Sequence, residues 1–282
     1  VYQCVDLHCH SRVSDGVLEP DELARRAAAN GVDLWSLTDH DEVSGVARAR
    51  EVSRELGMTF VAGVEISVTW SNRTVHIVGL DIDETHPVLL EGLAQTRSGR
   101  IERGRQMGEK LHAMGMPGAF EGALALAGQD QLLSRTHFAR YLVQKGYVNS
   151  MQTVFDRYLG DDGVAHVPAR WADLGQAVEW IVQAGGVAVL AHPGRYKYSD
   201  LQFDSLFRSF KGYGGLAIEV HTGSHQPHQY DQYARIARQY GFLASCGSDF
   251  HGPQESRCDL GAVPALPSDL EPVWQALSLS VR

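Results

Sequence analysis

The sequence predicts an α/β fold whose largely parallel sheet closes, or nearly closes, into a barrel. Three observations carry this. Seven short apolar runs, at residues 4–8, 34–38, 60–65, 75–80, 187–192, 216–221 and 242–248, have the length and composition of buried strands. Helix-like segments lie between most of them, the alternation that sets strands parallel and helices outside. The 282 residues suffice for one barrel-sized domain carrying an insert. An open doubly wound sheet is the alternative that the same alternation allows.

The elements follow in order. After the first strand, Pro20 and Asp21 open a helix with Leu23, Ala24, Ala27 and Ala28 at helical spacing, and Gly31 stops it. The third and fourth strands are separated only by Ser71, Asn72 and Arg73, which predicts a hairpin rather than a helical crossover. Residues 97–166 break the alternation. They hold helix-like runs near 100–114, 134–145 and 151–158 and no strand pattern, so they read as a helical insertion that contacts substrate as a lid over the barrel. The barrel then comprises 1–96 and 167–282. In its second part Asp173 caps a helix through Val178 and Ile181 to Gly185-Gly186, and a last helix over 230–240 closes at Gly241.

Composition narrows the function. The formal net charge of -9 argues against coating duplex DNA, which needs a basic face. No apolar run approaches the roughly 20 residues of a membrane helix, and no signal-peptide pattern opens the chain. Cys4, Cys9, Cys246 and Cys258 form no CxxC pair, so a disulfide scaffold is not expected and a reducing, cytoplasmic setting is.

Metal-type side chains recur where strands end. His8 and His10 close the first strand on one face, with Cys9 turned to the other. Asp15 follows in a loop. Asp39 and His40 end the second strand, Glu65 the third and His192 the fifth; His76 lies in the fourth, and Asp249 and His251 follow the seventh. Strand ends in a barrel converge on one mouth, so these residues would meet in one pocket. Clustered divalent metals held by such donors suit phosphoryl transfer.

The motifs Asp6-Leu7-His8-Cys9-His10, Ser14-Asp15-Gly16, Leu37-Thr38-Asp39-His40-Asp41, Gly63-Val64-Glu65, Ala191-His192-Pro193 and Gly247-Ser248-Asp249-Phe250-His251 resemble those of the PHP (polymerase and histidinol phosphatase) family. The resemblance implies a distorted (β/α)7 barrel related to the amidohydrolase-like barrels. It also implies three ligand sets: His8, His10, Glu65 and Asp249; Glu65, His76 and His192, with Glu65 bridging; and Asp15, His40 and His251. The expected nucleophile is a hydroxide held between metals beside Glu65 and Asp249. Mn²⁺ is the expected metal, two or three ions, with Fe²⁺ or Zn²⁺ as alternatives. Some family members carry histidine at the Asp15 position, and a carboxylate there is a harder, more manganese-like ligand.

Within the family, the insert and Ser134-Arg135-Thr136-His137-Phe138 resemble the 3′,5′-nucleoside bisphosphate phosphatases, a subgroup that includes 5′-to-3′ exoribonucleases. The implied activity is removal of the 3′-phosphate from a nucleoside 3′,5′-bisphosphate, a small nucleotide, leaving the 5′-monophosphate. Short RNA and histidinol phosphate are alternative substrates, and a non-catalytic metal-binding module is the reading from another class. Ser134, Arg135 and His137 are the expected phosphate contacts, with Arg100 and Arg170 as further candidates. Arg97, Arg100, Arg103 and Arg105 otherwise read as a solvated helix face, Arg195 lies near the predicted mouth, and Asp39 is expected to orient a histidine.

Overall fold

The computed structural model describes residues 2–128 and 132–279. Eight strands form one sheet: β1 (Val5–Asp6), β2 (Leu34–Leu37), β3 (Thr59–Trp70), β4 (Arg73–Leu80), β5 (Ala172–Asp173), β6 (Val187–Leu190), β7 (Ala217–Thr222) and β8 (Leu243–Gly247). The main path runs β1-β2-β3-β4-β6-β7-β8, and β5 pairs off it with β3. The seven expected strands are those of this path. The eighth, β5, escapes pattern reading because two residues make no apolar run.

Neighbours are parallel except around β4, which runs antiparallel to both β3 and β6. The hairpin expected there turns through Ser71 and Asn72, both at positive φ (46° and 61°), with Trp70 paired to Arg73. Two such residues match the right-handed strand twist. β1 and β8 then close the ring with three bonds: Leu7 N–H to the Cys246 carbonyl (3.1 Å), Asp249 N–H to that of His8 (2.8 Å) and His10 N–H to that of Phe250 (2.9 Å). The seam is a close approach. A Cβ on Gly247 would lie 2.4 Å from the His8 Cβ and 2.6 Å from its nitrogen.

Helices α1 (Pro20–Ala29), α2 (Val46–Glu55), α8 (Leu174–Gln183), α9 (Asp200–Gly212) and α10 (Pro227–Tyr240) belong to the barrel. Glu19 and Glu22 form the box that starts α1, Asp173 and Gln176 the one that starts α8, and Gly241 ends α10 in the left-handed conformation. Alternation along the strands sorts side chains into two layers. On β3, Ala62, Val64, Ile66 and Val68 pack outward against α8 residues such as Ala177 and Ile181. Val61 joins Val78, Leu80, Val187 and Val189 in a second cluster, which Val273 and Leu277 of the C-terminal segment complete.

The stretch from α3 (Pro87–Arg97) onward is helical: α4 (Arg100–Ala113), α5 (Ala119–Ala127), α6 (Arg135–Gln144), α7 (Met151–Val154) and a π-helical turn at Phe155–Leu159. From α4 onward they share an apolar core of their own, including Met107, Leu111, Phe138, Leu142, Val154 and Leu159, whereas α3 packs on the barrel core through Leu89 and Leu93. Ser134 caps α6, accepting the Thr136 N–H. The expected third helix of this region is thus interrupted, its second half widening into the π turn.

Replacing Gly247 tests the seam. Gly247→Ala forces β8 away from His8 and should cost about 1–3 kcal/mol, the usual penalty for overpacking. A denaturant midpoint equal to wild type would show that the two strands do not approach this closely.

Candidate metal centre

Inward-facing positions of β3 carry Glu65, which is fully buried. Its two oxygens face different imidazoles. Oε1 lies 2.9 Å from His76 Nδ1 and 3.0 Å from His192 Nε2. Oε2 lies 3.0 Å from His40 Nδ1, 3.2 Å from His10 Nε2 and 3.3 Å from His8 Nε2. Glu65 is mid-strand rather than at a strand end, because β3 continues into the hairpin. His76 reaches the same mouth because β4 runs the opposite way.

Two further carboxylates complete the ring. Asp249 Oδ1 lies 3.2 Å from His10 Nε2 and 3.5 Å from His8 Nε2. Asp15 Oδ1 lies 3.3 Å from His251 Nε2 and 3.7 Å from His40 Nε2. The nine residues singled out from the sequence therefore gather in one place. Four overlapping groups have donor atoms within 4.8 Å of one another: His10, Asp15, His40 and His251; His8, His10 and Asp249; His8, Glu65 and His192; and His40, Glu65 and His76. His10, His8, His40 and Glu65 each belong to two.

Backbone geometry aims several of these side chains. His192 follows β6 at φ 27°, and Asp249 follows β8 at φ 53°. Ala191 belongs to the cluster with Val187 and Val189, so simple alternation would send His192 the other way; the left-handed turn redirects it. Glu219 of β7 fixes two ligands at once, accepting His8 Nδ1–H at 2.6 Å and His192 N–H at 2.6 Å. A register shift between Glu219 and His221 separates their faces, so His221 contacts the Pro264 carbonyl instead. Asp39 orients no histidine: it accepts from Ser11 N–H, Ser11 Oγ and Ser14 Oγ, holding the loop to Asp15. Cys9 points away, its thiol donating to the Ser36 carbonyl.

The donor set fits divalent metals. Buried His10 Nδ1, Asp15 Oδ1, His40 Nδ1, Glu65 Oε2 and His192 Nδ1 have no hydrogen-bond partner, an expensive state unless another ligand satisfies them. Burial would raise the Glu65, Asp15 and Asp249 carboxyls, yet the neighbouring imidazoles hold all three well below the usual range. Burial lowers His192 to about 3 and lowers His40, so both stay neutral as ligands must. It also opposes a charge on His10, but Asp249 and Glu65 outweigh it and hold that imidazole up at about 10.

The same cavity, about 860 Å³, has an arginine-rich wall that includes Arg73, Arg100, Arg103 and Arg135. Of Arg97, Arg100, Arg103 and Arg105, Arg105 stays on a solvated face at 55% exposure, whereas the other three turn inward. Arg100 is buried against the Asp41 carboxylate and bonds Ser67 Oγ at 3.2 Å, while Arg97 bonds the Asp41 carbonyl at 2.6 Å. A buried Asp41 needs that countercharge. Arg103 is buried too, its Nε bonding the Val167 carbonyl; burial and then Arg135 and Arg100 push its guanidinium down to about 9.

Arg135 starts α6 as expected, but its guanidinium is already engaged by Asp161 (3.0 Å) and the Leu159 carbonyl (3.1 Å). Ser134 lines the cavity and donates to Asp15 Oδ2 at 3.1 Å. His137 does not line it. Its Nδ1 accepts the Ser134 N–H at the helix start, and burial lowers it to about 4, so it offers no cation. Arg170 is exposed and outside the cavity lining. Arg195, expected near the mouth, does line the cavity and sits 3.5 Å from Asp249 Oδ2, on the other side from the imidazoles. Trp171 lines the cavity with Arg100 and Arg103 stacked near its ring, at 4.7 and 5.2 Å.

A barrel mouth lined by imidazoles and carboxylates, facing a cationic wall, defines the class of metal-dependent phosphoesterases. The particular family follows from comparison: the PHP domain matches residues 6–240, and the chain belongs to the PHP family. A 3′,5′-nucleoside bisphosphate phosphatase of Chromobacterium violaceum is 46% identical over 277 residues, 98% of this chain and 97% of that protein. A 5′-3′ exoribonuclease of Haemophilus influenzae is 42% identical, over 96% of this chain and 97% of its own. Among solved structures, an amidohydrolase from Chromobacterium violaceum with bound sulfate superposes with a TM-score of 0.94 at 46% identity, covering 97% of this chain and 95% of that one. A metal-dependent phosphoesterase from Bifidobacterium adolescentis gives 0.80 at 27% identity, covering 97% and 94%.

Two substitutions separate the roles in the cluster. Glu65→Gln should retain less divalent metal after gel filtration than His251→Ala, since Glu65 faces five imidazoles and His251 only the Asp15 edge and Asp249. Equal metal content, read by elemental analysis, would refute a bridging Glu65. Glu219→Gln, which loosens His8 and His192 without removing a donor, should weaken metal affinity about 10–100-fold in a chelator competition.

Proposed function

We propose that this chain is a phosphomonoesterase that removes the 3′-phosphate of nucleoside 3′,5′-bisphosphates, giving nucleoside 5′-monophosphates. One observation carries the reading: a single cavity holds both the candidate metal ligands and a separate wall of arginines, so a substrate with two phosphates has an anchor for each. The name of the Chromobacterium violaceum relative agrees with it.

In this reading His8, His10, Glu65 and Asp249 hold one ion, Glu65, His76 and His192 a second, and Asp15, His40 and His251 a third. The ions are manganese, with iron(II) or zinc as alternatives. When bound, such ions neutralise phosphate oxygens and activate water at neutral pH. The chain's own residues do the rest. Glu219 keeps His8 and His192 in place. Ser224 donates to Asp249 Oδ2 at 2.5 Å and, with Arg195, holds that carboxylate from behind. The helical segment 97–166 acts as the substrate-contacting lid, contributing Arg100, Arg103, Ser134 and Arg135 to the cavity. We place the reaction in the cytoplasm, a reducing setting that four free cysteines fit.

A second reading, a 5′-to-3′ exoribonuclease on short RNA, draws on the Haemophilus influenzae relative and on the rim. Arg195 (48% exposed) and Lys197 (75% exposed) edge the cavity and could follow a chain's phosphates outward. Duplex DNA is not a partner in either reading, given the net charge of -9.

Chelation should abolish phosphate release and Mn²⁺ should restore it. With Mn²⁺ present, kcat/KM for a 3′,5′-bisphosphate should exceed that for the matching 3′-monophosphate roughly ten- to hundredfold, the worth of one charge-assisted contact at about 1.5–3 kcal/mol. Faster release of monophosphates from 5′-phosphorylated short RNA than of phosphate from the bisphosphate would put the second reading in its place.

A further inference from the structure

The arginine wall carries its own counter-ions. Just after the π turn, Asp161 and Asp162 reach across the cavity to cations on other elements. Asp161 Oδ1 holds Arg135 of α6 at 3.0 Å, and its Oδ2 lies 4.0 Å from Arg73 of β4. Asp162 lies 3.4 Å from Arg73 and 3.2 Å from Lys197. Arg103 stands behind them, more than nine-tenths buried, lining the cavity and bonded only through Nε to a carbonyl. Four cations thus face two carboxylates, a surplus of two positive charges. Arg100 does not enter the count, because Asp41 neutralises it.

That surplus matches a phosphate dianion. Arg73 lies three residues before His76 on the same strand, about 10 Å along it at 3.4 Å per residue, so the wall is near the metal ligands yet separate from them. The turn is built to present its acids. Leu159 turns its carbonyl to Arg135, and Gly160 and Gly163 pass so close to Phe155 and Tyr158 that a Cβ on either would lie 2.4 Å from a backbone oxygen. Asp161 and Asp162 are 27% and 58% exposed, so water can replace the contacts they release.

We propose that Asp161 and Asp162 form a displaceable carboxylate clasp that decides which ligands are accepted at the distal end of the site. A ligand phosphate takes Arg135 and Arg73 only by outcompeting these carboxylates. A dianionic phosphate ester does so, gaining Arg103 as well. A singly charged or neutral group does not, because it offers the wall no more than the aspartates already give. The clasp thus tempers the advantage of a second phosphate: a dianion must displace it to bind, a singly charged group does not displace it, and a neutral 5′-hydroxyl leaves it closed. Asp161 is a specificity-determining residue that never touches the scissile bond. This rests on the phosphatase reading above.

The test is the ratio of kcat/KM for a nucleoside 3′,5′-bisphosphate to that for its 3′-monophosphate, measured on the Mn²⁺-loaded protein. Asp161→Asn removes the competitor while keeping the shape, and should raise the ratio about tenfold. Asp162→Asn should raise it less, and its half-exposed side chain makes it a safe second variant if Asp161→Asn proves unstable. Arg103→Met should lower the ratio about tenfold. A wild-type ratio above one that Asp161→Asn and Asp162→Asn leave unchanged or reduce would make the aspartates simple struts and overturn the clasp alone. A wild-type ratio of one would overturn the clasp and the substrate reading together.

Discussion

Everything around the barrel mouth answers to one buried carboxylate. Glu65 has no exposure to solvent, and an ionised acid in that position is tolerable only if partners surround it. Five imidazoles do so, delivered by four separate stretches of chain. The two oxygens divide these imidazoles into two sets, which makes Glu65 the hinge between neighbouring ligand groups. Charge that would be destabilising in a core becomes an asset where a divalent ion can share it.

The sheet is arranged to deliver those partners. Closure between β1 and β8 uses bonds from Asp249 and His10, so completing the ring and assembling the ligands are one event. The helical segment is tied in by the same logic. Asp41 follows His40 and is buried; Arg97 and Arg100 reach back to it from the segment's first helices. Arg140 of α6 bonds the Asp15 carbonyl and pairs with Glu255 at 2.6 Å, joining the segment to the loops that carry Asp15 and His251. The segment therefore braces the ligand loops as well as walling the cavity.

Much of this was legible in the sequence, for a physical reason. Strands announce themselves through local apolar runs, and a parallel barrel brings strand ends together whatever lies between, so His8, His40, His192 and Asp249 could be placed side by side without coordinates. Capping signals worked equally well at Asp173 and Gly241 because a helix terminus is a local affair. Partnerships set by tertiary packing were not readable. Arg100 and Arg103 looked like a solvated face because their counterparts, Asp41 and the Val167 carbonyl, lie 59 and 64 residues away. Arg135 looked free because nothing local reveals Asp161, and His137 looked like a phosphate contact when its nitrogen finishes a helix start. Glu219 and His221 are indistinguishable by alternation; only the register shift separates them.

The reversed direction of β4 has a further implication, for how this scaffold tolerates change in length. Most ligands here sit in or beside loops, where an added residue can be absorbed as slack. His76 instead sits within a continuous antiparallel ladder, paired to Ser67 and counted off from a two-residue turn at Ser71 and Asn72. A single inserted residue in that turn would slide the register by one and carry His76 from the cavity to the helix-covered side. Of the two ligands in this ladder, Glu65 lies before the turn and His76 after it, so His76 is the donor metered by a count of residues, and this short turn is where the chain has least room to lengthen or shorten.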